Sequence, residues 1–89
     1  MNNVEKHMEI CNGLNTLYET KNRDYGNSFS KSFDEYGMTM VCIRLEDKLN
    51  RLKSLTVKGN TQQVNDESVE DTLLDLANYA IMSLMEINK

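Results

Sequence analysis

Apolar residues recur along this chain at three- and four-residue spacings in three long runs, the period of an amphipathic helix. Val4, Met8, Cys11, Leu14 and Tyr18 form the first stripe, on a helix from about Val4 to about Lys21 that Asn2 or Asn3 can cap. Cys42, Leu45, Leu49 and Leu52 form the second, on a helix from about Thr39 to Leu55. The third helix runs from near Asp66 to about Asn88, with Val69, Leu73, Leu76, Ala77, Ala80, Leu84 and Ile87 as its apolar side. Asn65 or Asp66 can cap it, and Glu67 and Glu70 suit the positive end of its dipole. Leu74, Ile81, Met82 and Met85 fall outside that stripe. A helix apolar over so wide an arc is flanked on more than one side. In a chain of 89 residues the extra neighbour is most simply a second copy.

The connections differ in character. Asn22 to Gly37 is rich in Gly, Ser and Asn and holds Tyr25, Phe29, Phe33 and Tyr36. A plain connector is shorter and blander. Phe29, Phe33 and Tyr36 suit one face of a short helix, either as a satellite core or as the frame of a ligand pocket. Thr56 to Gln63 reads as an exposed connection. Proline is absent, which favours long helices. The expected fold is all-α: three long helices plus a short helix or ordered loop, one domain over residues 1–89, packed as a dimer or higher oligomer.

Composition narrows the function. A chain this short has a thin core, so apolar surface is left to meet another copy. The net charge of −4 argues against attraction to DNA or to an anionic membrane, so an anion site must be a local basic cluster. Cys11 and Cys42 lie in no C-x-x-C and fall on apolar helix positions, which predicts buried, reduced thiols. The polar N-terminus is unlike a signal peptide and no apolar stretch approaches membrane-span length, so the expected location is the cytoplasm.

Two rows of polar residues carry candidate chemistry. Arg44, Lys48 and Arg51 put three cations on one helix face at the edge of the apolar stripe, within reach of one polyphosphate. The alternative is an exposed face paired with Glu46, Asp47 or another helix. Glu67, Asp71, Asp75 and Asn78 lie within an arc of roughly 80° on the third helix. Oxygen ligands in a line suit Mg²⁺. Because that face lies opposite the apolar stripe, an ordinary solvated acidic face is the other reading. His7 has no partner at metal-ligand spacing, and no nucleophile elbow, Ser-His-Asp pattern or G-x-x-x-x-G-K loop is present.

Lys21 with Asp24-Tyr25-Gly26, then Arg44, Lys48 and Arg51-Leu52, then Glu67-Ser68, Asp71-Thr72 and Asp75-Leu76-Ala77-Asn78-Tyr79 together resemble the nucleotide-modification-associated domain family, small proteins of bacteriophages and bacteria. The resemblance spans about Lys21 to Ile87 and implies an all-helical domain with a role near nucleotide metabolism or modification. More distantly the layout is similar to the MazG-like and dimeric dUTPase-like pyrophosphatases. Those hold Mg²⁺ on Glu-x-x-Glu and Glu-x-x-Asp pairs from two helices. Here the second helix has adjacent Glu46 and Asp47 and is basic where those enzymes are acidic, and the third spaces its acids by four.

The function expected from these residues is binding of a phosphorylated nucleotide or nucleotide-derived signal between helices or subunits, held without cleavage, as small phage proteins that blunt host immune signalling do. Arg44, Lys48 and Arg51 are expected to take phosphate, Asp24 and Tyr25 to contact base or sugar, and Lys21 to be a further ligand-binding residue. Asp71, Asp75 and Asn78, with Glu67, are expected to hold Mg²⁺ or ligand hydroxyls. The alternatives are a Mg²⁺-dependent nucleotide pyrophosphatase and a helical adaptor for another protein.

Overall fold

The computed structural model describes residues 2–25, 27–56 and 66–89, without the side chains of Asp24, Tyr25, Asp66 and Glu67. Among them the chain is all-α: α1 (Asn3–Tyr25), α2 (Ser28–Tyr36), α3 (Met38–Thr56) and α4 (Asp66–Ile87). The connection expected over Thr56 to Gln63 lies outside the described residues from position 57 on, as does the cap expected from Asn65.

Local chemistry explains where the helices begin and end. The Asn2 side-chain oxygen accepts the Glu5 backbone N–H at 2.8 Å, meeting one of the unpaired donors of the first turn of α1. With no proline to stop it, α1 runs through Gly13 and continues a full turn beyond Lys21. The aromatic-rich stretch takes its helical alternative as α2. That helix stops at Gly37, whose φ of 64° favours glycine and whose N–H reaches the Phe33 carbonyl at 2.7 Å.

The core is small. Phe29, Met40 and Val41 are buried together, with Phe33, Leu45, Tyr79 and Met82 packed around them. The main packing is α3 against α4, with α2 laid over one end. Leu14 is buried where α1 meets α4, and there the Asn78 side-chain amide donates to the Leu14 carbonyl at 3.2 Å. Thr72 and Ser83 are buried on α4, each hydroxyl donating to a carbonyl one turn back, so these small polar side chains bring no unpaired group inside. Tyr36 points outward and is no part of the core.

Three expectations about faces need correction. On α3 the buried residues are Met40 and Val41, with Arg44, Leu45, Lys48 and Leu52 half-buried, while Cys42 and Leu49 are exposed. Cys11 is exposed as well, so neither thiol is buried within the chain, and the Cys11 Sγ lies 3.7 Å from His7 Nδ1 one turn back, so His7 does not stand alone as the sequence suggests. On α4 the inward side carries Thr72, Asp75, Tyr79, Met82 and Ser83; of the residues expected inside, Val69, Leu76 and Ala77 are half-buried while Leu73, Ala80, Leu84 and Ile87 are exposed. The cause is shared. The helices meet along the edge bearing Arg44 and Lys48, which turns the α4 face with Asp75 and Tyr79 inward and its more apolar side outward. The apolar stripe of α1 divides likewise: Leu14 packs, while Val4 and Met8 lie exposed.

Met40 is 7% exposed at the centre of this core. Met40→Ala is expected to cost about 2–4 kcal/mol in urea unfolding. A loss under about 1 kcal/mol would mean that the core lies elsewhere.

Candidate functional site: a cation-lined cleft

The inward face of α4 forms one wall of a cleft of about 470 Å³ between α1, the start of α2 and α3. Tyr18, Lys21 and Asn22 line it from α1, Asn27, Ser28, Phe29 and Ser30 from the α2 end, and Arg44 from α3. From α4 come Asp75, Asn78, Tyr79, Met82, Met85 and Glu86. A second groove of about 420 Å³ adjoins it, lined by Arg44, Asp47, Lys48, Arg51 and Tyr79. Arg44 and Tyr79 belong to both and stand between them.

The partition is aromatic and cationic. The Phe29 and Tyr79 rings stack with centroids 5.9 Å apart and planes 18° from parallel. The Arg44 guanidinium lies 5.9 Å from the Tyr79 centroid, where the negative ring face attracts it. The spacing of Arg44, Lys48 and Arg51 over two helical turns thus brings all three cations to one groove. Among the described residues neither Arg44 nor Arg51 meets a carboxylate within ion-pair distance, although Asp47 lies one turn from Arg51. In a chain of net charge −4 this groove is locally cationic.

Asp75, by contrast with the two arginines, is paired on both oxygens. Lys21 Nζ of α1 lies 3.0 Å from its Oδ1, and Lys48 Nζ of α3 lies 3.1 Å from its Oδ2. Burial pushes this carboxyl up, but hydrogen bonds and charge from the two lysines push it down by more, so it sits below its ordinary value of 3.8. At the other end of the cleft Ser30 Oγ donates to Glu86 Oε1 at 3.0 Å, and Lys89 Nζ reaches the same oxygen at 2.7 Å and Asp34 at 2.9 Å.

The sequence-predicted residues are therefore only partly assembled. Lys21, Arg44, Lys48, Asp75 and Asn78 converge, and Arg51 joins through the second groove. Asn78 is buried with its amide committed to α1, which makes it a structural clamp as well as a cleft wall. Asp71 is exposed. The side chains of Asp24, Tyr25 and Glu67 lie outside the described residues. The α1 helix carries the backbone of Asp24 and Tyr25 just beyond Lys21. From sequence Tyr18 is legible only as part of the apolar stripe of the first helix, and no site role is assigned to Asn22 or Glu86. Glu86 had a legible signal, standing one turn beyond Met82 and two beyond Tyr79 on the inward face.

The described residues do not fit the Mg²⁺ site that the pyrophosphatase resemblance implies. Among them no three His, Cys, Asp or Glu side chains gather closely enough to hold an ion. Asp75, half-buried where Asp71 is exposed, has an ammonium on each oxygen, which opposes a dication at the same atoms. No helix among the described residues is long and apolar enough to cross a membrane.

These features define an all-helical domain with a cation-lined, aromatic-walled cleft between its helices. The chain belongs to the nucleotide modification associated domain 1 family, whose model matches residues 21–87. That span holds every described site residue except Tyr18. The chain matches none of the curated proteins and none of the solved structures.

A carboxylate with a depressed folded pKa stabilises the fold above its unfolded pKa, near 3.8, and that contribution is lost as pH falls through the depressed folded value. The stability difference between the wild type and Asp75→Asn, about 1 kcal/mol for a half-exposed pair, is expected to be constant from pH 5 to 7 and to shrink below about pH 4. Urea unfolding across that range measures it. A difference independent of pH would show that the ion pairs do not support the fold.

Proposed function

We propose that this chain binds a phosphorylated nucleotide or nucleotide-derived signalling molecule in the cleft and adjoining groove, and holds it without cleaving it. The observation that carries the reading is the arrangement of Arg44 and Arg51, cations without a carboxylate partner among the described residues, beside the Phe29–Tyr79 stack. A nucleotide offers the complements of both: phosphate oxygens for guanidinium groups and a flat ring for an aromatic and apolar wall that includes Met82 and Met85. Capture is favoured over cleavage because the lysines at Asp75 occupy the atoms that a catalytic metal needs.

The proposal includes self-assembly. Leu73, Ile81, Leu84 and Ile87 leave an apolar surface on α4 away from α3, and α1 leaves Val4, Met8 and Ile10 exposed. Unpartnered apolar faces on two helices of so small a chain suit a second copy as occupant, since an isologous contact covers the same patch on both copies.

Incubation with a panel of mono-, di- and cyclic nucleotides and Mg²⁺, followed by separate analysis of supernatant and heat-released ligand, is expected to return an intact nucleotide from the protein fraction. Released pyrophosphate or a shortened nucleotide would establish an enzyme; no retained nucleotide and no product would leave the adaptor. Arg51→Ala and Arg44→Ala are each expected to weaken binding by about 1.5–3 kcal/mol in calorimetry, the scale of a lost charged hydrogen bond. Unchanged affinity in both would make the row a surface feature. Light scattering at micromolar concentration is expected to give a dimer or larger, and Leu84→Glu to shift it toward a single chain; a wild-type monomer would remove the assembly from the proposal.

A further inference from the structure

The charge arrangement at Asp75 has a direction that ligand binding must reverse. Two ammonium groups from different helices, Lys21 on α1 and Lys48 on α3, converge on one carboxylate, each on its own oxygen, at 3.0 and 3.1 Å. Asp75 lines the main cleft and Lys48 the adjoining groove, so the triad lies where the two spaces meet. Its members are only half-buried: the side chains of Lys48 and Asp75 are 27% and 22% exposed and that of Lys21 51%. The pairs are therefore reachable from solvent. A phosphate group can present two oxygens to two donors much as a carboxylate does, with more negative charge. We infer that Asp75 is a resident anion that holds Lys21 and Lys48 in place of phosphate, and that a bound terminal phosphate displaces it and takes both lysines.

This rests on the proposed reading of the cleft but deepens it, and it inverts the role that sequence spacing suggests for Asp75. If Asp75 held a metal or a ligand hydroxyl, neutralising it would weaken binding. As a competitor it repels the incoming anion and occupies the cations the anion needs, so neutralising it strengthens binding. Its service is selectivity. A weak monoanion does not repay the two ion pairs it must break, whereas a phosphate dianion or polyphosphate does. The exchange also has a structural consequence. Lys21–Asp75 ties α1 to α4 and Lys48–Asp75 ties α3 to α4. Displacement converts both into ties through the ligand, while Asn78 keeps α1 attached at Leu14.

The test uses inorganic pyrophosphate as the probe, with binding measured by calorimetry at low salt on the full chain. Circular dichroism first establishes that each variant is folded, and Asp75→Ser serves where Asp75→Asn is not. Asp75→Asn is expected to bind pyrophosphate about five- to tenfold more tightly than the wild type, the equivalent of roughly one half-exposed ion pair. The gain should vanish in Asp75→Asn/Lys48→Met. In the wild type, the Asp75 carboxyl followed by carbon NMR should titrate at higher pH once pyrophosphate is bound, because its lysines have left; a merely structural pair would keep its titration. Equal or weaker binding by Asp75→Asn, or no pyrophosphate binding by any variant, overturns the inference. The two proposals fail separately. Tighter pyrophosphate binding by Asp75→Asn with no nucleotide held by the wild type supports the exchange and sinks the nucleotide. Nucleotide capture by the wild type that Asp75→Asn weakens does the reverse.

Discussion

A single carboxylate joins three of the four described helices. Asp75 projects from α4 into the angle between α1 and α3 and holds a lysine from each. Placing three charges at a half-buried junction carries a desolvation cost, which only good geometry and complete pairing offset. Both carboxylate oxygens are used, so the geometry meets that condition. The apolar core beside it, Phe29, Met40 and Val41, is too small to dictate alone how α1 is placed. The ion pairs and the Asn78–Leu14 hydrogen bond supply that placement, because directional contacts discriminate between registers that a few apolar side chains tolerate equally. The cleft lies beside this junction, where Lys21 and Asp75 line it together with Tyr79, Phe29 and Arg44.

How much of this the sequence discloses depends on the kind of question. Helix existence was legible, because proline is absent and the three- to four-residue period is strong over each run; ends fell within about a turn. The short helix after Asn27 was one of two open alternatives, and Gly37 is what makes it a discrete element. Helix faces were not legible. Periodicity says which side of α4 is more apolar, and the natural inference puts Leu73 and Leu84 inside. It cannot say which neighbour covers that side. The chain buries instead the side on which Tyr79 and Met82 supply the apolar area and Thr72 and Ser83 satisfy their own hydroxyls. The same blindness hid the thiols' exposure.

The candidate site divides in the same way. Arg44, Lys48 and Arg51 were readable as a unit because they are local, three residues on one helix. The partner of Lys48 was readable only as a class, an acid on another helix, since an ion pair between two helices leaves no spacing in the sequence to single out Asp75. Asp75 was grouped with its helical neighbours Asp71 and Glu67 as a row of metal oxygens, yet Asp71 is exposed while Asp75 is captured by lysines. Side chains one turn apart on a helix share a direction only coarsely, and the 40° between them is enough to separate a solvated acid from a cleft acid when another helix packs at the edge. Asn78 shows the converse. Its type suggested a ligand contact, and its burial against α1 gave it a clamping role.

The two sides of α4 therefore carry different duties, and their separation bears on how binding and assembly are connected. The inward side holds Asp75, Tyr79 and Glu86 at the cleft. The outward side shows Leu73, Leu84 and Ile87. Met85, 48% exposed, belongs to the cleft lining as well and stands where one side passes into the other. In the proposed assembly, a second copy on the outward side braces α4 from behind, against the same helix through which Tyr79 meets the ligand. A helix fixed on one face by α3 and on the other by a partner has little freedom to tilt, so rigidity gained by assembly lowers the ordering cost of binding. The α1 helix also leaves Val4 and Met8 uncovered, but about three turns from the Tyr18–Asn22 segment that lines the cleft, so the brace acts on the site through α4. In that proposal, the small core leaves part of the site's precision to contacts with a second copy.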